Sequence, residues 1–231
     1  MGSFSNPMAS YSESTFTPDG LVLSLDDLLS RKVTILTGQN LARGAVLGQI
    51  TLGAAVSAAK AGGNTGNGTL VLDAVTPILA NAYLSGPGVY TVRCINAGAN
   101  TAIFDVVDPR GITLGQVTYN GAGASATFAD RLKFAVTDGG VDFVVGDGFD
   151  ITIAAGSGKY VLSLAAAVDG SQLPDAILSQ ATDATAADTD AMGYFRGRFS
   201  SAAVVLGAGQ TVAGIREGLR GKGIDLVDVI A

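Results

Sequence analysis

A mainly β fold is the architecture this sequence predicts, with one short C-terminal helix and a β-sandwich in the middle of the chain. Three observations lead there. Short apolar runs rich in Val, Ile, Thr, Phe and Tyr recur along the chain, divided by Gly, Asn and Asp turn sequences. Only 15% of the 231 residues are charged, against a usual ~25%, and 32 are glycine without a collagen-like period of three. A single segment combines helical periodicity with start and stop signals.

Taken in order, residues 1–20 are polar, with Pro7, Pro18 and many Ser and Thr, yet carry evenly spaced apolar anchors at Phe4, Met8, Tyr11 and Phe16. Such a segment cannot fold alone; it reads either as a disordered tail or as a flexible N-terminal docking arm that can lie extended along another surface. Leu21–Leu25, Lys32–Leu36 and Ala45–Ile50 read as strands. The Ala-rich stretch Ala54–Ala61 reads as a weak helical turn or loop, and Gly62-Gly63-Asn64-Thr65-Gly66-Asn67-Gly68 as a linker.

A second block, from about Thr69 to Ala155, offers strands at Leu70–Val75, Gly88–Asn96, Ala102–Val107, Thr113–Tyr119, Leu132–Thr137 and Phe149–Ile153. Their spacing and turns predict a sandwich, Ig-like or jelly-roll-like. Gly156-Ser157-Gly158 punctuates the chain again. Strands follow at Lys159–Leu164, Asp175–Thr182 and Ala191–Ser200, with a polar turn at Asp183–Asp190. The helix is Thr211–Arg220, its apolar face made by Val212, Ile215 and Leu219, with Gly221 or Gly223 as the stop. Ile224–Ile230 alternates as a last strand.

Composition restricts the chemistry. There is no His and no Trp, and of 20 acidic residues only Glu13 and Glu217 are Glu. Histidine-dependent hydrolases and His-ligated metal sites are therefore excluded. The single Cys94 sits in the strand-like run Val92-Arg93-Cys94-Ile95 and reads as a buried small hydrophobe. A net charge of −6 and a pI near 4.5 argue against nucleic acid or anionic membrane as partners, since Arg216, Arg220 and Lys222 are the only basic cluster. Mean hydropathy is +0.39, but the uncharged windows are broken by Gly, Gln, Ser and Thr, so no membrane span is expected. The N-terminus shows neither a secretory signal nor a myristoylation pattern.

Motifs that imitate catalytic sites fall short. Gly207-Ala208-Gly209-Gln210-Thr211-Val212 opens a helix but has Val212 at the third glycine position and no βαβ unit around it. Gly158-Lys159 and Gly221-Lys222 lack the P-loop's following Ser or Thr. Asp138/Asp142, Asp147/Asp150 and Asp183/Asp188/Asp190 sit in turns, without the EF-hand spacing. A glycosidase carboxylate pair drawn from separate loops is disfavoured by the absence of Trp and of an aromatic-rich groove. No catalytic residue, cofactor or metal is assigned, and the chain reads as a structural or binding protein rather than an enzyme.

The C-terminal third carries Gly158-Lys159-Tyr160-Val161, Ala167-Val168-Asp169-Gly170-Ser171-Gln172, Ala176-Ile177-Leu178, Asp183-Ala184-Thr185-Ala186-Ala187-Asp188-Thr189 and Gly193-Tyr194-Phe195-Arg196-Gly197-Arg198-Phe199. These residues resemble the head decoration proteins of lambda-type tailed phages, and the run from Thr37 to Ile50 is similar to the first half of the same pattern. In compact members the strand matching Gly48-Gln49-Ile50-Thr51 leads almost directly into the one matching Gly158-Lys159-Tyr160. Residues 53–157 thus read as an inserted β-sandwich, residues 21–52 and 158–231 as the decoration-protein core, and residues 1–20 as the arm.

The resemblance implies a small β-rich core with little helix. It implies a homotrimer, made in the host cytoplasm, that binds the major capsid protein on the outer surface of the expanded head at local three-fold sites and stabilises it. The family's arm orders on contact with that protein, which makes Phe4, Met8, Tyr11 and Phe16 the candidate capsid-binding residues. An alternative expectation treats the insert as the working part, a surface-displayed adhesive or carbohydrate-binding module with a glycan or host-surface ligand.

Overall fold

The computed structural model describes residues 20–228. The predicted arm anchors Phe4, Met8, Tyr11 and Phe16, and the end of the last predicted strand, lie outside the described residues. What is described is mainly β, with one α-helix.

Strands β1 (Val22–Ile35), β2 (Gln39–Leu41) and β3 (Val46–Gln49) begin the chain, and β4 (Leu52–Ala59) to β11 (Gly148–Ala155) make up its middle. The remainder is β12 (Tyr160–Leu162), β13 (Pro174–Leu178), β14 (Thr182–Ala184), β15 (Thr189–Ser200), α1 (Val212–Gly221) and β16 (Ile224–Val227). Pairing runs β1-β12-β3-β13-β15 and returns from β15 to β1, so five strands close into a ring. All five contribute to one buried cluster, with Val33, Ile35, Leu47, Tyr160, Ala176, Leu178 and Ala191 inside. The β2–β14 ribbon adds Leu41 and Ala184 to that cluster.

Because side chains alternate along a strand, Val46, Ile177 and Phe199 point to the other side of the ring. There they meet Ile215 and Leu219 of α1 and Ile224 and Leu226 of β16. The helix starts where its sequence says, since Thr211 Oγ1 accepts the Gly214 N–H at 3.1 Å and the chain leaves at Gly223 with φ +88°. Thr211→Ala should cost about 1 kcal/mol, seen as a lower denaturation midpoint with an unchanged m-value.

Strands β5 (Thr69–Leu72), β6 (Gly88–Gly98), β7 (Thr101–Val107), β8 (Thr113–Asn120), β9 (Ser125–Ala129) and β10 (Lys133–Thr137) complete the middle of the chain. They form two sheets, β4-β11-β6-β7-β8 and β5-β10-β9. Tyr90, Val92, Phe104, Ile151 and Ile153 of the larger sheet share one buried cluster with Leu70, Phe128, Phe134 and Val136 of the smaller. Phe143 lies among them, edge-on to Phe104 at 5.2 Å and to Phe149 at 5.9 Å. Cys94 is buried in this cluster, and burial pushes its thiol pKa up.

Several elements differ from the sequence expectation. Leu21–Leu25 and Lys32–Leu36 are two halves of one strand, β1. The Ala54–Ala61 segment lies largely in β4, because pairing with β11 (Ile151 opposite Ser57) overrides alanine's helical preference. β9, in which Phe128 is the single large apolar residue among Ser125, Ala126, Thr127 and Ala129, had no apolar run to announce it. Asp175–Thr182 divides between β13 and β14, and the expected polar turn is strand at both ends.

Residues 62–68 are not a linker between domains but a loop between β4 and β5 whose second half, from Asn64, is fixed by hydrogen bonds and close packing. The Asn64 side chain accepts the Gly148 N–H, and Thr65 and Gly66 donate to Asp147. A Cβ on Gly68 would lie 2.4 Å from the Phe143 ring. The chain passes between the ring and the sandwich elsewhere. The β3–β12 pair (Gln49 opposite Tyr160) runs on into the β4–β11 pair (Leu52 opposite Ala155), joined by Ile50 N to Lys159 O and Gly156 N to Thr51 O.

Candidate contact site

The start of β1 is irregular. Its register against β15 shifts between Val22 and Ser24 and again between Ser24 and Leu29, with Asp27 at φ +63°. The strand thus bulges over residues 25–28. Leu25 at the bulge is 81% exposed, flanked by exposed Leu23 and Leu29. On its other edge β1 pairs with β12 at Ile35 opposite Tyr160. Among the described residues no strand pairs with that edge from Val22 to Thr34, leaving a template for an added strand.

Where β1 and β12 diverge they enclose a cleft of about 460 Å³, lined by Arg31, Thr34, Gln49, Tyr160 and Phe195 among others. The Arg31 guanidinium lies 5.5 Å from the Phe195 ring centre, and Tyr160 meets the same ring edge-on at 6.0 Å. The Tyr160 hydroxyl donates to Asp175 at 2.9 Å, and Lys222 Nζ donates to the other Asp175 oxygen at 2.8 Å. Burial, reinforced by Asp175, holds the Tyr160 pKa well above its ordinary range, so the hydroxyl stays protonated.

The two lysines of the cleft, Lys32 and Lys159, are paired with carboxylates. Lys32 holds Asp190 at 2.7 Å, and with the Thr34 hydroxyl keeps that carboxyl below its usual range. Lys159 does the same for Asp188, helped by the Thr37 N–H. These carboxylates are ionised and occupied by neighbours. An exposed guanidinium beside a half-buried aromatic ring, with paired charges at the rim, suits contact with another protein.

The other sequence candidates have structural partners. Arg216 pairs with Asp228, Arg220 with Glu217 and Lys222 with Asp175, so the basic cluster presents no common face. In the glycine-rich turn before α1, Gly207 packs so closely that a Cβ would lie 2.1 Å from Ser163 O. Asp147 accepts the N–H groups of Thr65, Gly66 and Val144. The Asp183 side chain accepts from Thr185, and Asp142 accepts the Asn100 N–H. Among the described residues no group of three or more His, Cys, Asp or Glu is placed to hold a metal ion. No described helix is long and apolar enough to cross a membrane.

Sequence reasoning did not single out Arg31, Tyr160 and Phe195 as a site, although Tyr160 and Phe195 lie within the quoted resemblance. Their convergence depends on ring closure, which joins distant segments.

A family model described as bacteriophage lambda head decoration protein D matches residues 10–221. No curated protein matches the chain significantly. Among solved structures, the crystal structure of Xanthomonas campestris FlgL aligns with a TM-score of 0.29 and 22% identity, covering 48% of this chain. The chain spans 33% of that protein, and the likeness carries no argument about function.

Proposed function

Since this chain belongs to the lambda head decoration protein D family, and with it to the phage capsid, we propose that it binds the outer surface of the expanded head. It does so as a homotrimer at local three-fold sites, and it strengthens the shell by linking copies of the major capsid protein. The family match over nearly the whole chain carries this reading.

The open β1 edge supports it physically. The arm leads directly into the exposed leucines of β1, so arm and edge can together offer main-chain hydrogen bonds and apolar anchors to a capsid strand. Three arms on one axis multiply a weak single contact into firm attachment. The work is contact, without catalysis. The barrel-like core is residues 21–52 and 158–231, and the sandwich of residues 53–157 is carried outward by it.

Co-sedimentation with expanded heads tests the reading. The full chain should pellet with heads, and a chain lacking residues 1–20 should remain a folded trimer in solution yet stay in the supernatant. Retained binding by the truncated chain would remove the arm's role. A monomeric full chain, or one that never pellets, would overturn the decoration reading.

A further inference from the structure

Along the chain, the ring and the sandwich are joined through two short segments outside the strands, Ile50–Thr51 and Gly156–Ser157–Gly158. A two-stranded stem with two glycines on one side would bend freely if nothing else touched it. The loop at residues 169–172 prevents this. Thr51 N–H and Leu52 N–H both donate to Asp169 O at 2.9 Å. Gly170, at φ +98°, lets the loop approach so closely that a Cβ there would lie 2.0 Å from Thr51 Oγ1.

The loop also reaches the sandwich itself. Gln172 Nε2 donates to Ala80 O at 2.8 Å, on the connection between β5 and β6. Its Oε1 is fixed by the Gly170 N–H at 2.8 Å. From the ring side, Gln210 Nε2 donates to Gln172 O at 2.9 Å and to Ser163 Oγ at 3.1 Å. Asp169 Oδ1 in turn accepts from Ser171 N–H and hydroxyl. Gln172, Ser171 and Ser163 are buried. Side-chain amide hydrogen bonds in a buried place have defined directions and few substitutes.

We infer that Gln172 is the key of a clamp that fixes the sandwich in one orientation on the ring, so that the two move as a single rigid body. The chain then presents its far loops, residues 60–68, 98–101, 121–124 and 138–147, in a constant direction. This rests on the ring and the sandwich having separate hydrophobic interiors, and it is independent of what the protein binds.

Amide relaxation and residual dipolar couplings of the deuterated full chain provide the test. In the native chain the strands of ring and sandwich should share one alignment and one rotational diffusion tensor. Gln172→Glu keeps the size and the Oε1 acceptor but places an oxygen against Ala80 O. It should leave the chemical shifts of both interiors in place while the common tensor is lost, as should Gln172→Ala. Separate tensors in the native chain would overturn the inference, as would a common tensor retained in both variants. The native measurement decides even if a variant fails to fold.

Discussion

Asp108→Ala is expected to destabilise the sandwich by about 3–5 kcal/mol. The Asp108 carboxylate has no solvent exposure. One oxygen accepts the Ser85 hydroxyl at 2.7 Å and Arg131 Nη1 at 3.2 Å, and the other accepts the N–H groups of Arg110 at 3.0 Å and Ile112 at 2.8 Å. Removing it leaves Arg131 charged and mostly enclosed, and leaves the Asp108–Ile112 turn without its centre. Urea denaturation would show a lower midpoint, and a loss below 1 kcal/mol would mean that water replaces the carboxylate.

The same group links stability to pH. Burial by itself would raise the Asp108 pKa, but hydrogen bonds, first from the Ile112 N–H and then from Ser85 and Arg110, bring it below the ordinary value. Asp147 is likewise lowered, with the N–H groups of Gly66, Thr65 and Val144 outweighing burial. A carboxyl with a depressed folded pKa contributes its full stabilisation above its unfolded pKa of about 3.9, and loses it as pH falls through the folded value. Stability of the native chain should therefore fall on acidification below about pH 4. The Asp108→Ala chain should show a shallower fall, and equal slopes would contradict this account.

Gly48→Ala should damage the ring by about 3 kcal/mol or more, at the upper end of overpacking costs. A Cβ at Gly48 would lie 1.9 Å from Ser171 O and 2.8 Å from its Cα, both backbone atoms that no side-chain rotation can move aside. Gly48 sits in β3 between β12 and β13, opposite Val161 and Pro174. The added methyl must push the 169–172 loop off the strand. Calorimetry of the variant should show a large fall in the melting temperature, and a near-native value would mean that the loop can shift without loss.

Local signals were the legible part. Thr211, the Val212/Ile215/Leu219 spacing and Gly223 together specify α1, and the structure has it there. The alternating strands β6, β7 and β8 were likewise visible, because each buries one face. β4 was missed because Ala55, Ala58 and Ala59 carry little strand signal of their own and take their conformation from β11. Residues 62–68 misled because glycine and asparagine serve both loose joints and close packing, and only the Phe143 ring shows which applies. The contact cleft depended on Ile35 meeting Tyr160 across the whole sandwich, a pairing that no local pattern encodes. The family was legible because its quoted residues lie on or beside β2, β3, β12, β13, β14 and β15, all of them strands of the ring or its ribbon.

The stem between β3–β12 and β4–β11 also bears on how the ring closes. Leu52 and Ala155 stand opposite each other as a strand pair, so the sandwich delivers its two ends already side by side. To the ring, a segment whose two ends are paired in this way closes as a hairpin loop does, and loop-closure cost grows only slowly with length. The ring's own pairing, β1-β12-β3-β13-β15, includes no strand that lies between Leu52 and Ala155.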